Sequence, residues 1–80
     1  MKINLLAFGI AKDILNEKQA VIEVNDMTTV GQLKEKLLIQ YPDFQNLKSI
    51  SLAVGMEYRS DDFVLNPSDE VVIIPPVSGG

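Results

Sequence analysis

Cysteine and histidine are both absent from this sequence of 80 residues. Without cysteine there is no disulfide and no thiolate nucleophile, and without either residue the common zinc ligands and the usual general base are missing. No Ser-His-Asp or Cys-His set can be assembled, so we do not expect the chain to be an enzyme by itself. Two acidic clusters, Asp61-Asp62 and Asp69-Glu70, lack the spacing and the turn glycine of a calcium loop. We interpret them as solvated turns and predict no metal site.

Positive charge and long apolar runs are also scarce. Seven Lys and Arg residues stand against eleven Asp and Glu, and the resulting net charge of −4 disfavours nucleic acid and anionic membranes as partners. No segment reaches the roughly 18 apolar residues needed to cross a bilayer. The apolar start superficially resembles a signal peptide, but Asn4 interrupts it and its removal would cost an expected strand. We expect one soluble, cytoplasmic domain over residues 1–80.

Hydrophobic periodicity predicts an α+β domain. A strand is predicted over residues 2–8, with Ile3, Leu5 and Ala7 on one face and Asn4, Leu6 and Phe8 on the other. The other predicted strands span residues 19–24, 49–54, 57–60 and 71–74. Residues 66–69 have the composition of a type I turn.

One amphipathic helix is predicted between Thr29 and Tyr41. Thr29 and Gln32 have the spacing of a capping box, and Pro42 ends the helix because the residue before a proline is driven out of helical dihedrals. The apolar stripe of this helix consists of Val30, Leu33, Leu37 and Tyr41. Residues 10–16 are ambiguous, with a short helical turn as one interpretation, and residues 43–48 are expected to form a connector. A single helix on a mixed sheet gives a two-layer domain.

The last predicted strand is apolar on both faces, whereas one helix can cover only one face of a sheet. If the first and last strands are neighbours, some of Leu6, Phe8, Val72 and Ile74 are left without cover. An uncovered apolar patch on a small protein usually marks a partner surface. The alternative is that residues 10–18 or 43–48 fold over this patch.

The end of the sequence has the composition of a narrow, extended tail: Pro75-Pro76-Val77-Ser78-Gly79-Gly80. The two prolines favour an extended exit from the strand, and the six residues can reach roughly 20 Å. The glycines carry no side chain, so the tip can enter a narrow channel. Its chemical group is the α-carboxylate of Gly80, which is ionised at neutral pH because the pKa of such groups is about 3.5. The alternative is a frayed or artificial terminus.

The segment Ile73–Gly80, preceded by Asp69-Glu70-Val71, resembles the C terminus of the small subunit of molybdopterin synthase, the MoaD-like sulfur carriers. The resemblance extends over nearly the whole chain, through Leu5-Leu6-Ala7-Phe8, the helix with Thr29, Leu33 and Leu37, and Glu57-Tyr58. Two turns depart from the family pattern: Pro67-Ser68 replaces a frequent glycine, and a frequent asparagine is missing near Gly55-Met56.

This resemblance implies a β-grasp, ubiquitin-like fold in which the first and last strands lie parallel at the sheet centre. It implies that an E1-like activating enzyme uses ATP to adenylate the Gly80 carboxylate, which sulfur transfer converts to a thiocarboxylate. The flexible tail, residues 75–80, would then insert into the large catalytic subunit and deliver sulfur to cyclic pyranopterin monophosphate. A heterotetramer of two small and two large subunits is expected, with Phe8, Tyr58 and Ile74 at positions that contact the large subunit. The chain itself would bind no cofactor.

Three alternatives to this function remain at the level of sequence. The chain could carry sulfur for thiamine thiazole synthesis or tRNA thiolation, although thiazole carriers are generally shorter and lack the Pro-Pro step. It could be a ubiquitin-like protein modifier, although modifiers commonly place a basic residue where this chain has Val77-Ser78. It could also be a β-grasp binding module whose tail is inert.

Overall fold

The chain begins with a strand, and its elements follow in the order strand, helix, strand, helix, 3₁₀ helix and three strands. The computed structural model describes residues 1–47 and 49–76. The strands are β1 (Lys2–Ala7), β2 (Gln19–Glu23), β3 (Ser51–Val54), β4 (Glu57–Tyr58) and β5 (Glu70–Ile74). The helices are α1 (Gly9–Leu15), α2 (Val30–Gln40) and a 3₁₀ helix (Pro42–Asn46). This content confirms the predicted α+β class.

All five strands form one mixed sheet in the order β2-β1-β5-β3-β4. β1 and β5 are parallel, with Leu5 opposite Val71 and Leu6 opposite Val72. The other neighbours are antiparallel: β2 beside β1, β3 beside β5, and β4 beside β3. The first and last strands are therefore parallel neighbours in the interior of the sheet, as the family resemblance implied.

Helix α2 covers one face of this sheet with its predicted apolar stripe. Val30, Leu33 and Leu37 are fully buried, and burial of each such leucine contributes about 1.5–3 kcal/mol to stability. The predicted capping box is present: the Gln32 amide donates to Thr29 Oγ1 at 3.2 Å, and the Thr29 amide donates to Gln32 Oε1 at 2.9 Å. The strands contribute to the same core Ile3, Leu5, Ala7, Ile22, Leu52, Val54, Val71 and Ile73.

Two further segments pack into the same core as α2. The ambiguous stretch near residue 10 forms the seven-residue helix α1, which buries Ala11 and Leu15 and ends where Asn16 adopts a left-handed φ of 64°. The predicted connector is mainly the 3₁₀ helix, which buries Phe44 in the core cluster. That helix is too short for its periodicity to be read, and the burial of Phe44 depends on tertiary packing.

Several local predictions need correction. β3 begins at Ser51 rather than at residue 49, and β4 is limited to two residues. The turn at residues 66–69 is not type I, because Ser68 has a φ of 67°, whereas a type I turn requires about −90° there. The positive φ fits a type II turn, whose central peptide is reversed. The Ser68 amide then donates to the Lys2 carbonyl at 3.1 Å, a contact between distant segments that local sequence does not reveal.

The loop before β5 forms hydrogen bonds with the N terminus of α2. The Gly31 amide donates to the Asp61 carbonyl at 2.9 Å, and the Val30 amide donates to the Phe63 carbonyl at the same distance. These amides belong to the first helical turn and have no partner within the helix. Lys34 adds an ion pair with Asp61 at 2.7 Å. The loop approaches so closely that a Cβ on Gly31 would lie 3.0 Å from the Cβ of Asp61.

Candidate functional site

The sheet face opposite α2 carries a row of apolar side chains. Leu6, Val72 and Ile74 alternate with the buried core positions of β1 and β5 and are half-buried. The strand register places Leu6 beside Val72, Val72 beside Ala53, and Ala53 beside Tyr58. We call Leu6, Ala53, Tyr58, Val72 and Ile74 the open face. It is an apolar row that crosses four strands.

The described helices leave the open face uncovered. α1, α2 and the 3₁₀ helix all contribute side chains to the core cluster on the other side of the sheet, among them Leu15, Leu37 and Phe44. Of the two segments that could have covered the second face, residues 10–18 and 43–48, the first buries Ala11 and Leu15 in this cluster and the second buries Phe44 there. Lys18 does lie over the Phe8 ring, and position 48 lies outside the described residues. An uncovered apolar surface of this kind is typical of an interaction site.

The three residues predicted to contact a partner lie on or beside this surface. Tyr58 is 69% exposed on β4, and Ile74 is half-buried opposite Ser51 at the end of β5. Phe8 follows β1 directly, caps α1 in an extended conformation and is 49% exposed. The Lys18 ammonium lies 5.6 Å from the centre of the Phe8 ring, a cation–π contact that holds the two side chains together.

The predicted tail begins at the edge of the open face. β5 ends at Ile74, immediately before the prolines, and Pro75 is half-buried whereas Pro76 is exposed. Proline has no amide hydrogen and so cannot continue the hydrogen bonds of the strand. The remaining tail positions, Val77, Ser78, Gly79 and Gly80, lie outside the described residues.

Metal-ligand clusters, unpaired buried polar atoms and membrane-spanning helices are further features that can indicate a function. Residues 1–47 and 49–76 contain no group of three or more acidic side chains that could hold a metal ion. No buried side-chain nitrogen or oxygen in these ranges lacks a hydrogen-bond partner, so none marks a ligand site. Neither α1 nor α2 is long and apolar enough to cross a membrane. The open face is an exposed apolar surface of the kind that binds partners, and the tail starts at its edge.

One strand contributes to the open face in a way that the sequence prediction missed. Ala53 is 7% exposed and sits between Val72 and Tyr58, and Ser51 pairs with Ile74. The signal was present in the alternation of β3, where Leu52 and Val54 face the core. The sequence alone does not show which strands lie beside β3.

A mixed sheet with parallel β1 and β5 in its interior and α2 across one face defines a β-grasp domain of the ubiquitin-like class. Residues 5–80 match the ThiS family, and the chain belongs to that family. The match extends from β1 to the last glycine.

Several known proteins are similar to this chain over its length. The molybdopterin synthase sulfur carrier subunit of Dictyostelium discoideum is 36% identical over 83 residues, which cover 99% of this chain and 96% of that protein. The putative molybdopterin converting factor, subunit 1, from Pyrococcus furiosus matches with a TM-score of 0.87 and 22% identity, over 96% of this chain and 99% of that one.

A further solved structure contains two different subunits. The complex of subunits 1 and 2 of molybdopterin-converting factor from Helicobacter pylori 26695 includes a chain with a TM-score of 0.67 to this one. That chain is 21% identical, and the match covers 100% of both chains. At these identities the two solved structures support the shared fold.

Proposed function

We propose that this chain is a sulfur carrier in molybdenum cofactor biosynthesis and acts as the small subunit of molybdopterin synthase. The observation that carries the proposal is the end-to-end similarity, at 36% identity, to a molybdopterin synthase sulfur carrier subunit. The geometry is compatible with this proposal, because β5 contributes Val72 and Ile74 to the open face and is followed directly by Pro75 and Pro76. We also propose a cytoplasmic location, where ATP for activation is available.

The chemical group of the proposed carrier is the Gly80 carboxylate. A carboxylate is a poor electrophile, so it has to be activated before sulfur can be attached. An E1-like enzyme would join it to the α-phosphorus of ATP, with release of pyrophosphate, and a sulfur nucleophile would then attack the carbonyl carbon and expel AMP. The product is a Gly80 thiocarboxylate. A chain without cysteine has no thiol that could carry sulfur to Gly80, so we assign these steps to the activating enzyme.

Delivery of the sulfur would take place inside the large catalytic subunit. Pro75 and Pro76 stiffen the start of the tail, and Gly79 and Gly80 allow its tip to pass through a narrow channel. The sulfur would be passed to cyclic pyranopterin monophosphate, and water would return Gly80 to a carboxylate. A dithiolene contains two sulfurs, so two loaded carriers are needed for each product.

The open face would hold the chain against the large subunit during this delivery. Phe8, Tyr58 and Ile74 are the proposed contacts, within a heterotetramer of two small and two large subunits. The two-subunit complex from Helicobacter pylori supports the existence of such a partner, since one of its chains shares this fold. Aromatic residues at a solvent-exposed surface are typical of the centres of protein interfaces.

The test is a reconstituted reaction with the purified chain, the E1-like enzyme, ATP and a sulfide source. Intact-mass analysis should show the increase expected for exchange of one oxygen for sulfur at Gly80. Adding the large subunit and cyclic pyranopterin monophosphate should then give molybdopterin. Deletion of Gly80 should abolish both products, whereas the control variant Glu35→Gln, on the exposed side of α2 and outside the tail, should retain both. Formation of molybdopterin at the wild-type rate by the chain lacking Gly80 would contradict the proposal.

The same experiment separates the alternatives. A thiocarboxylate that forms but is not accepted by the large subunit would indicate a carrier for thiamine thiazole synthesis or tRNA thiolation. Covalent products in which Gly80 is joined to lysines of other proteins would indicate a ubiquitin-like modifier. Absence of any activation would indicate a binding module with an inert tail.

A further inference from the structure

A groove at one end of the open face is lined by two glutamates. Glu70 begins β5 on the same side of the sheet as Val72, and Glu17 lies just before β2. The groove has a volume of about 430 Å³ and is also lined by Leu6, Val21, Asn4 and Gln19. This volume falls within the range of ligand pockets, so the groove has room for a long side chain.

The two carboxylates are free of ion pairs with the described residues, residues 1–47 and 49–76. Other acidic groups of the chain do have partners: Glu57 pairs with Arg59 at 3.0 Å, and Asp61 pairs with Lys34. The Lys18 ammonium, next to Glu17 in sequence, lies over the Phe8 ring instead. Two negative charges at one groove repel each other, and a cation placed between them would be attracted to both. The groove therefore favours a positively charged occupant.

The apolar part of the groove belongs to the open face. Leu6 is shared by the two surfaces, and Val21 is exposed beside Asn4 in the strand register. A long basic side chain needs this combination, because its aliphatic stem packs on apolar surface while its charged head reaches polar groups. A small cation would not use Leu6 or Val21, and two carboxylates fall short of the set of ligands that a metal ion requires.

We infer that this groove receives an arginine side chain from the large subunit that docks on the open face. The inference rests on the proposed function and adds to it the chemistry by which the partner is recognised. Arginine fits better than lysine, because its planar guanidinium offers five donors to a groove lined by two carboxylates and by the polar residues Asn4 and Gln19, whereas an ammonium offers three. An apolar row can slide along its partner, whereas one charged contact fixes the register. The register in turn decides where the tail is directed.

The test is isothermal titration calorimetry of the purified large subunit with Glu17→Gln, Glu70→Gln and the double variant. Each single change should weaken binding by about 3- to 10-fold and the double change by more than either, because a charge-assisted contact is lost at the edge of an interface. The control is Glu35→Gln, which removes the same charge from the exposed side of α2 and should change affinity by less than about twofold. The thermal unfolding midpoint of the variants should stay near that of the wild type, since both glutamates are exposed.

Salt dependence provides a second measurement of the same contact. The affinity of the wild-type chain for the large subunit should decrease as the NaCl concentration is raised. The decrease should be smaller for the double variant, because part of the attraction that salt screens is already absent. Affinity of the double variant equal to that of Glu35→Gln would overturn the groove inference. If the wild-type chain still bound the large subunit and transferred sulfur in that case, the proposed function would stand without the groove inference. Failure of the wild-type chain to bind the large subunit would overturn both proposals together.

Discussion

Leu5 and Leu6 provide a direct test of the two faces of the sheet, because adjacent and identical residues of β1 point to opposite sides. Leu5 is 1% exposed and lies in the core, whereas Leu6 is half-buried on the open face. Replacing a buried leucine by alanine removes about 2.4 kcal/mol of transfer free energy, at roughly 0.8 kcal/mol per carbon. The cavity left at Leu5 raises the expected loss to about 3–4 kcal/mol. At Leu6 no closed cavity forms, and the expected loss is about 1 kcal/mol.

These losses are large enough to separate in urea unfolding experiments. A domain of 80 residues has a free energy of unfolding of about 4–12 kcal/mol, so Leu5→Ala should lower the midpoint far more than Leu6→Ala. Affinity for the large subunit should show the opposite order. Calorimetry should find Leu6→Ala about fivefold weaker than wild type, because the side chain lies within the proposed contact. Leu5→Ala should bind normally under conditions that keep it folded.

Two outcomes would refute this reasoning. Equal losses of stability in the two variants would contradict the burial of one side chain in the core and the exposure of the other. Normal affinity of Leu6→Ala, measured beside a wild-type chain that binds, would exclude Leu6 from the interface. The paired design removes differences in residue type, strand position and secondary-structure propensity.

Three further predictions concern single positions. Phe8→Asp should weaken binding of the large subunit, measured by calorimetry, by at least about tenfold, and circular dichroism should show a folded chain because Phe8 is half-exposed. Unfolding of this variant would place Phe8 in the core. Gly31→Ala should lower the free energy of unfolding, measured in urea, by about 1–2 kcal/mol despite the better helix propensity of alanine, because the new Cβ would lie against Asp61. A gain in stability would contradict this prediction. Met56→Gly should raise the free energy of unfolding by about 0.5–1 kcal/mol and raise the melting temperature, because Met56 is exposed and has a φ of 68°, which strains most residues other than glycine. A lower melting temperature would contradict this relief of strain.

The regular elements of the fold were predictable because their signals are local. Alternation placed Ile3, Leu5 and Ala7 on one face of β1, which proved to be the buried one, and the spacing of Thr29 and Gln32 identified the start of α2. Phe44 was not predicted to be buried, since its 3₁₀ helix acquires a core side only by packing against other segments. The turn at Ser68 was assigned to the wrong type for a similar reason, because a hydrogen bond to distant Lys2 accompanies its conformation. Nonlocal contacts account for both errors.

The candidate site was predictable in part. The apolar character of both faces of β5 indicated an uncovered surface, but periodicity could not show which strands lie beside β5. The resemblance to sulfur carriers supplied the parallel pairing with β1, and the register then added Ala53 from β3. The groove lined by Glu17 and Glu70 was not predicted, because the two residues are 53 positions apart in the sequence and line one groove only through the pairing of β2, β1 and β5.

The partial exposure of the open face limits which side chains can supply binding energy. Leu6, Val72 and Ile74 are half-buried within the sheet, so each has limited apolar area left to bury against a partner. Phe8 and Tyr58 are 49% and 69% exposed, and aromatic side chains bury more area than aliphatic ones when they are fully covered. In the proposed complex the aliphatic row would therefore stabilise the isolated domain and exclude water from the contact, while the two aromatic residues would act as the anchors. This division would allow a small domain to remain folded alone and still bind through the same face of its sheet.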